Sequence, residues 1–520
     1  MASPRPRVAA LDVGTHSIHL VIASLDTGRG RFRVLHREKE LVRLGQGGQA
    51  HLSDEAMSRG IAALRRLGRT AEAAGARLRA IATSAVREAD NRDEFLQRVE
   101  SRTGIRLKIA SGAEEARLTW LGVQHALGLP ARSRALLLDV GGGSTEFLVG
   151  TPHRVLYTNS LKIGAVRVSE RFFPGGRVDP DRIRECRQFL RGTLEPVLRD
   201  LRRQRYTRVV GSSGTLSTLA AMARELRGEA PAERPQSPLS RPELSTLLKR
   251  LCRGRTSAER AGLPGMDPRR ADVIVGGALI VDEVFRGAGV RVVSVSDMAL
   301  REGILVDELQ RRAHRMGRRR LQNGRLASVE ELAGNFHTDE KHGLQVARLA
   351  LQIFDATQRL HRMGDAEREY LEVASRLHEA GFFISHAGHH RHSYYLIRNS
   401  DLLGFTENEK EIIALTARYH RKGPPRIRHE GFCDLELDER LTVTRLASIL
   451  RIADGLDRSH RSAVKDIACK LTRGRLVLKL KRARAAQLDL EVWGASRKAD
   501  LFEEVFGRRV EFAVSGARSR

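Results

Sequence analysis

Leu11-Asp12-Val13-Gly14-Thr15-His16-Ser17 returns further along the chain as Leu138-Asp139-Val140-Gly141-Gly142-Gly143-Ser144. Leu, Asp, Val and Gly repeat in step, and a serine closes each copy. Each copy has the same frame: an apolar run (8–11; 135–138), an Asp, a Gly-bearing turn, and a second apolar run (18–23; 147–149). That pattern predicts a hairpin whose turn carries a carboxylate and unobstructed backbone N–H groups. A repeat of such a unit predicts two related α/β domains, with the boundary near 126–133, where Leu127-Gly-Leu-Pro130 interrupts the pattern.

Working outward, Ala-, Leu- and Arg-rich stretches at 54–73 and 93–101 read as helices, and 78–83 and 107–110 as short strands between them. Residues 227–238 are Pro-rich and polar, the mark of a surface loop. A helix ending near Leu309 is followed over 310–327 by seven arginines and no acid, a basic connection into a helical region with apolar-periodic segments at 344–360, 367–378, 408–419 and 442–456. In the last sixty residues Leu476, Leu478 and Leu480 alternate with Val477, Lys479 and Lys481, and Leu488, Leu490 and Val492 alternate in the same way. There, 499–506 reads as a helix stopped at Gly507 before a final strand, 510–514. The expected domains are therefore 1–128, 129–309, 310–460 and 461–520.

The 520 residues include 91 Lys or Arg against 63 Asp or Glu, a net charge of +28, which suits a polyanionic partner. A hydrophobic fraction of 41% buries several cores, so a disordered basic tail is excluded. No apolar signal region opens the chain, and no run approaches the ~18 apolar residues of a membrane span. The expectation is a cytoplasmic protein, so basic that contact with a membrane could only be peripheral. Cys186, Cys252, Cys433 and Cys469 lie far apart, without the pairing of a disulfide framework or a thiolate metal cluster. With 5% aromatic residues and no nucleic-acid motif, sequence-specific nucleic-acid binding is not expected.

The glycines at 141, 142 and 143, followed by the hydroxyls of Ser144 and Thr145, can cradle phosphate oxygens on backbone N–H groups, and Gly14 and Thr15 occupy the same place in the first copy. Two such turns facing each other would put Asp12 and Asp139 on opposite sides of a phosphate. Carboxylates paired near phosphate call for a hard cation, and Mg²⁺ fits. Taken singly, each Asp also reads as a turn former, and Glu114 and Glu115 as acids at a helix start, where the macrodipole favours them.

Several further stretches, 82–91 (ATSAVREADN), 111–118 (SGAEEARL), 139–146 (DVGGGSTE), 209–215 (VVGSSGT), 270–274 (RADVI) and 296–303 (SDMALREG), together with the two turns, resemble the actin-like ATPase superfamily. Within it the chain resembles the exopolyphosphatase / guanosine pentaphosphate phosphohydrolase family, most of all the proteobacterial exopolyphosphatases, over about residues 8–308. The resemblance implies two actin-like (ribonuclease H-like) α/β domains around a central cleft, an all-α His-Asp-phosphohydrolase-like domain, and a small α+β C-terminal domain. It implies Glu115 as the base that activates water, Glu146 as a holder of metal or water, and Asp12, Asp139 and Glu146 as ligands of Mg²⁺. Arg87 is then the phosphate clamp, since a guanidinium pairs bidentately with phosphate. His16 stands where the family usually has Asn. The implied activity is processive hydrolysis of terminal phosphoanhydride bonds of inorganic polyphosphate, releasing orthophosphate. The alternatives are a guanosine pentaphosphate 5′-phosphohydrolase, a non-catalytic polyphosphate- or RNA-binding protein, and an actin-like kinase. Relatives of this length imply a homodimer.

In the helical region His342, His378-Glu379 and Asp454 follow the order of a phosphohydrolase signature in which His, His-Asp and Asp hold a divalent ion. Glu379 replaces the central Asp, and its longer arm would displace the ion, so no working metal centre is expected there. His386, His389, His390 and His392, followed by Tyr394 and Tyr395, read as a polar interdomain or polyanion-facing surface in preference to a transition-metal site.

Overall fold

The computed structural model describes residues 6–26, 30–46, 50–129, 133–152, 154–229, 236–315, 324–483 and 486–514. These form two compact units, Met1–Gly324 and Arg325–Arg520.

The first unit holds two sheets. One contains β1 (Arg7–Val13), β2 (Ser17–Asp26), β3 (Arg31–Leu41), β4 (Arg77–Ala82) and β5 (Leu107–Ile109) in the order β3-β2-β1-β4-β5. The other contains β6 (Ala135–Val140), β7 (Thr145–Gly150), β8 (Val155–Leu161), β9 (Arg208–Ser212), β10 (Gln236–Ser240) and β11 (Val292–Ser296) in the order β10-β11-β9-β6-β7-β8. Each sheet is built on an antiparallel meander, β1-β2-β3 or β6-β7-β8, whose first strand takes a parallel neighbour, β4 or β9. The repeat seen in the two turns is thus a repeat of the meander and its parallel neighbour.

Strands covered on both faces read as unbroken apolar runs, and β1 and β6 do. Period-two alternation sends Ala9, Leu11 and Val13 to one core and Val8 and Ala10 to another. In β6, Leu136, Leu138 and Val140 face one core while Ala135 and Leu137 face a second.

Helix Gly112–Leu127 lies tightly against helix Leu300–Arg315. A Cβ on Gly303 would stand 1.7 Å from the Leu118 carbonyl oxygen, and one on Gly122 would stand 2.4 Å from that of Ala299. Only glycine permits this approach. The buried Arg117 guanidinium joins the same pair of helices, reaching Glu114 at 2.7 and 2.9 Å and Asp307 at 2.7 Å. The helix expected to end near Leu309 continues to Arg315, extended by Asp307–Arg311 and Glu308–Arg312 ion pairs at 2.6 and 2.7 Å. The rest of the basic connection, with Arg318, Arg319 and Arg320, lies outside the described residues, as do 130–132 at the expected boundary and 230–235 in the Pro-rich loop.

In the second unit, helices Gly324–Asn335, Glu340–Ala356, Asp365–Leu377, His389–Asn399, Glu407–Arg418 and Leu437–Gly455 are followed by β12 (Val464–Leu471), β13 (Arg475–Arg482) and β14 (Arg509–Val514), in the order β12-β13-β14. The expected 461–520 domain does not stand apart. Leu476, Leu478, Leu480 and Phe502 belong to one core with Leu349, Leu371, Ile413 and Leu450 of the helices. The stretch 488–492 is also not a strand but the start of helix Asp489–Ser496. Leu490 is 48% exposed, whereas Leu488 and Ala495 are buried and Val492 packs beside them, the i, i+4, i+7 spacing of a helix face. Among the described residues no helix is long and apolar enough to cross a membrane.

Candidate active site

The two turns meet inside the first unit. Gly14 N–H closes its turn on the Ser17 carbonyl at 3.1 Å, and Gly141 N–H closes the other on Ser144 at 3.0 Å. A Cβ on Gly142 would stand 3.0 Å from Thr15 Cβ, so this glycine lets one turn seat against the other. Among the described residues none accepts the N–H of Gly142 or Gly143, the condition for a backbone anion cradle. The Thr145 hydroxyl departs from expectation. It is fully buried and donates to the Ile163 carbonyl, so at most its backbone faces a ligand. Ser144 is buried as well.

Around these turns stand four carboxylates. Asp12 and Asp139 occupy equivalent places in β1 and β6, paired in register with His19 and Glu146. Glu115 comes from the first turn of helix Gly112–Leu127, which Ser111 caps by accepting the Glu114 N–H. Glu146 is 1% exposed and accepts from Ser160 Oγ at 2.9 Å; Thr119 Oγ1 donates to Asp139 Oδ2 at 3.3 Å. Burial lifts Asp12 and Asp139 to about 7, and the charge of Glu115 pushes both the same way. Burial, then Glu115 and Asp139, raise Glu146 well above the carboxylate range. Burial also raises Glu115, against the pull of Arg87. An all-oxygen donor set whose members hold each other protonated fits a hard divalent cation, and Asp12, Asp139 and Glu146 are the residues that would hold one.

Arg87 lies where a clamp should, yet it is already engaged: its Nη1 donates to Glu115 Oε2 at 3.0 Å and to the Ala110 carbonyl at 2.8 Å. The neighbouring Glu88 binds across to the second turn through Arg167, which donates Nη2 to Glu88 at 2.8 Å and Nε to the Gly143 carbonyl at 3.0 Å.

Sequence reasoning missed a positive pole beside this acid cluster. Arg270 packs so closely on Gly214 that a Cβ there would stand 1.8 Å from Nη2. Arg301 bonds to His19 Nδ1 and, at 3.3 Å, to Glu302. Burial and then the charges of Arg270, Arg269 and Arg301 depress the Lys39 ammonium to about 8. Burial followed by Arg270 and Arg43 depresses His16 to about 4, so the residue that departs from Asn is a neutral, buried ring. Arg270 and Arg301 both lie in stretches already singled out, 270–274 and 296–303, but nothing in their spacing tells which side chain turns inward.

In the second unit the His386–His392 stretch is not a simple surface. His389 is 2% exposed, stacks on His420 at 5.2 Å and faces its Nε2 at 3.2 Å, because 389–399 is a helix with Ser393, Tyr394 and Ile397 on its inward face. Tyr395 does point outward, at 61% exposure.

Comparison with known proteins gives the family of the chain. The crystal structure of an exopolyphosphatase from Cytophaga hutchinsonii is 30% identical with a TM-score of 0.55, the match covering 58% of this chain and 97% of that one. The Aquifex aeolicus member of the Ppx/GppA family is 28% identical with a TM-score of 0.51, over 59% of this chain and 99% of that one. An exopolyphosphatase-like protein matches at 29% identity and a TM-score of 0.54, again over 59% and 99%. The profile of the Ppx/GppA phosphatase family matches residues 21–312, and that of its domain III matches residues 325–493. With more than half of its length so matched, the chain belongs to the Ppx/GppA phosphatase family, actin-like hydrolases of phosphoanhydride bonds.

Proposed function

We propose that this chain is an exopolyphosphatase that removes terminal phosphoryl groups from inorganic polyphosphate one at a time, with Mg²⁺ as its metal. The observation that carries this reading is the meeting of two opposite poles. Burial and neighbouring acids raise Asp12, Asp139 and Glu146, while burial and then the cations beside them depress Lys39 to about 8. A polyanion relieves the second crowding and a divalent cation the first. Mg²⁺ held by Asp12, Asp139 and Glu146 would neutralise charge on the phosphoryl oxygens.

Glu115 is the base in this reading. A carboxylate with a raised pKa takes a proton from an attacking water more readily than one at its ordinary value. Its pairing with Arg87 gives substrate a part in the step: a terminal phosphate competes for the guanidinium, and Glu115 is released as it binds. The N–H groups of Gly142 and Gly143 would hold equatorial oxygens meanwhile.

Guanosine pentaphosphate is the second substrate class implied by the family resemblance. The net charge of +28 favours the long polymer, because a compact nucleotide meets only a few cations. Phosphate release from long polyphosphate and from guanosine pentaphosphate, measured side by side with Mg²⁺ and with chelator, tests the proposal. Faster release from polyphosphate that stops in chelator is the expected result; faster release from the nucleotide would replace the polymer as substrate.

A further inference from the structure

Within residues 325–520, three helices bring two imidazoles and a carboxylate to one buried point. His342 lies in the first turn of helix Glu340–Ala356, His378 caps the end of helix Asp365–Leu377, and Asp454 lies in the last turn of helix Leu437–Gly455. His342 Nδ1 is 2.8 Å from Asp457 Oδ2, and His378 Nδ1 is 2.8 Å from the Ser375 carbonyl. Such oxygens accept only, so each Nδ1 carries a hydrogen and each Nε2 is left to face the other way.

Both Nε2 atoms are buried and, among the described residues, without a hydrogen-bond partner. Asp454 Oδ1 stands 3.6 Å from each of them. That is too long for a hydrogen bond. It is close to the edge of about 3.4 Å that separates two ligands each ~2.1 Å from one tetrahedral ion. A proton on either Nε2 would find no acceptor at bonding distance, whereas one metal ion would satisfy all three atoms.

The surroundings hold these ligands in place. Lys498 pairs with the other Asp454 oxygen, Oδ2, leaving Oδ1 turned to the histidines. His460 stacks on His342 at 3.7 Å and 6°, carried by a loop in which His460 and Ser462 both sit in the left-handed region, at φ 56° and 51°. Ser462 N–H in turn donates to Asp457 Oδ1 at 2.8 Å, fixing the carboxylate that orients His342. Strain of this kind persists where the surroundings over-determine it. Glu379, whose length was expected to spoil the centre, stands 3.8 Å from His342 Nε2 at the flank, and the trio closes without it.

We propose that His342 Nε2, His378 Nε2 and Asp454 Oδ1 bind one divalent first-row transition-metal ion. Two imidazoles favour such an ion over Mg²⁺ or Ca²⁺, so this centre differs in metal from the oxygen-only cluster of the active site. The test uses the full chain, stripped with chelator, loaded with Co²⁺ and desalted. The expected result is about one Co²⁺ per chain, with visible absorption of imidazole-ligated Co²⁺ that is kept in Asp139→Asn and lost in His378→Gln and in Asp454→Asn. Wild-type chain that retains no Co²⁺, or Co²⁺ absorption unchanged in a folded His378→Gln or His342→Gln, overturns the proposal. The wild-type spectrum alone is decisive should the variants not fold.

Discussion

Glu115 and Arg87 are joined at 3.0 Å, so each sets the other's behaviour. In Glu115→Gln the amide keeps the shape but cannot take a proton, and kcat should fall by about 10²-fold or more while polyphosphate binding stays near wild type. Single-turnover phosphate release with a parallel binding titration checks it; a variant keeping half its turnover would rule Glu115 out as base. Lys39 supplies a pH test. Its ammonium, depressed to about 8, is charged below that pH and neutral above it. Phosphate binds the charged form, so KM for short polyphosphate should rise as pH climbs past 8, and Lys39→Arg, charged throughout, should stay flat to pH 9. A parallel rise in both would assign the effect elsewhere. Asp12 and Asp139 stand out in the sequence because their turns are local patterns, whereas Glu115 and Glu146 are singled out only through the family resemblance. Lys39, Arg270 and Arg301 were not, because what makes them a pole is their convergence from β3, the 268–270 turn and the 300–315 helix.

At the scale of elements, the glycine contact between helices 112–127 and 300–315 determines where Glu115 stands. Gly303→Ala would drive a methyl against the Leu118 carbonyl, 1.7 Å away, and the backbone must move. A loss of about 1–3 kcal/mol and a lower kcat are expected. Gly192, inside helix Pro180–Arg203, meets nothing within 4 Å, and Gly192→Ala should stabilise by roughly 0.5–1 kcal/mol without touching kcat. Thermal melts of the two variants check both signs. The repeated turn foretold the paired hairpins because a Gly-bearing turn between apolar runs has few other solutions. It could not foretell that β4 and β9 repeat the pairing too, since parallel neighbours arrive through long crossovers that share no sequence. At 488–492 three alternating residues were too few to separate a strand from a helix face, and burial of Leu488 and Ala495 decided for the helix.

Across the whole chain the charge of +28 is a statement about salt. Each polyphosphate unit neutralised should release condensed cations, as nucleic acid does with a slope of about −0.7 to −0.9 per phosphate. Affinity for long chains should therefore fall more steeply with salt than affinity for short ones. Neutralising Arg318, Arg319 and Arg320 together should weaken long-chain binding and leave short-substrate hydrolysis nearly unchanged. Fluorescence titrations at several salt concentrations check this, equal slopes for long and short chains being the contrary outcome. The duplicated hairpins carry a last consequence. In register with its aspartate, one copy has Glu146 and the other has His19, bonded to Arg301. A site made from two like halves would be blind to direction; divergence at this rung, with that between Thr15-His16 and Gly142-Gly143 in the turns, gives it two unlike sides. On the proposed reading, a linear polyphosphate laid across it would have one favoured placement, a terminal phosphate toward the acids and the remaining length past the cations, and because both ends of such a chain are chemically the same, either end would serve as the one that enters.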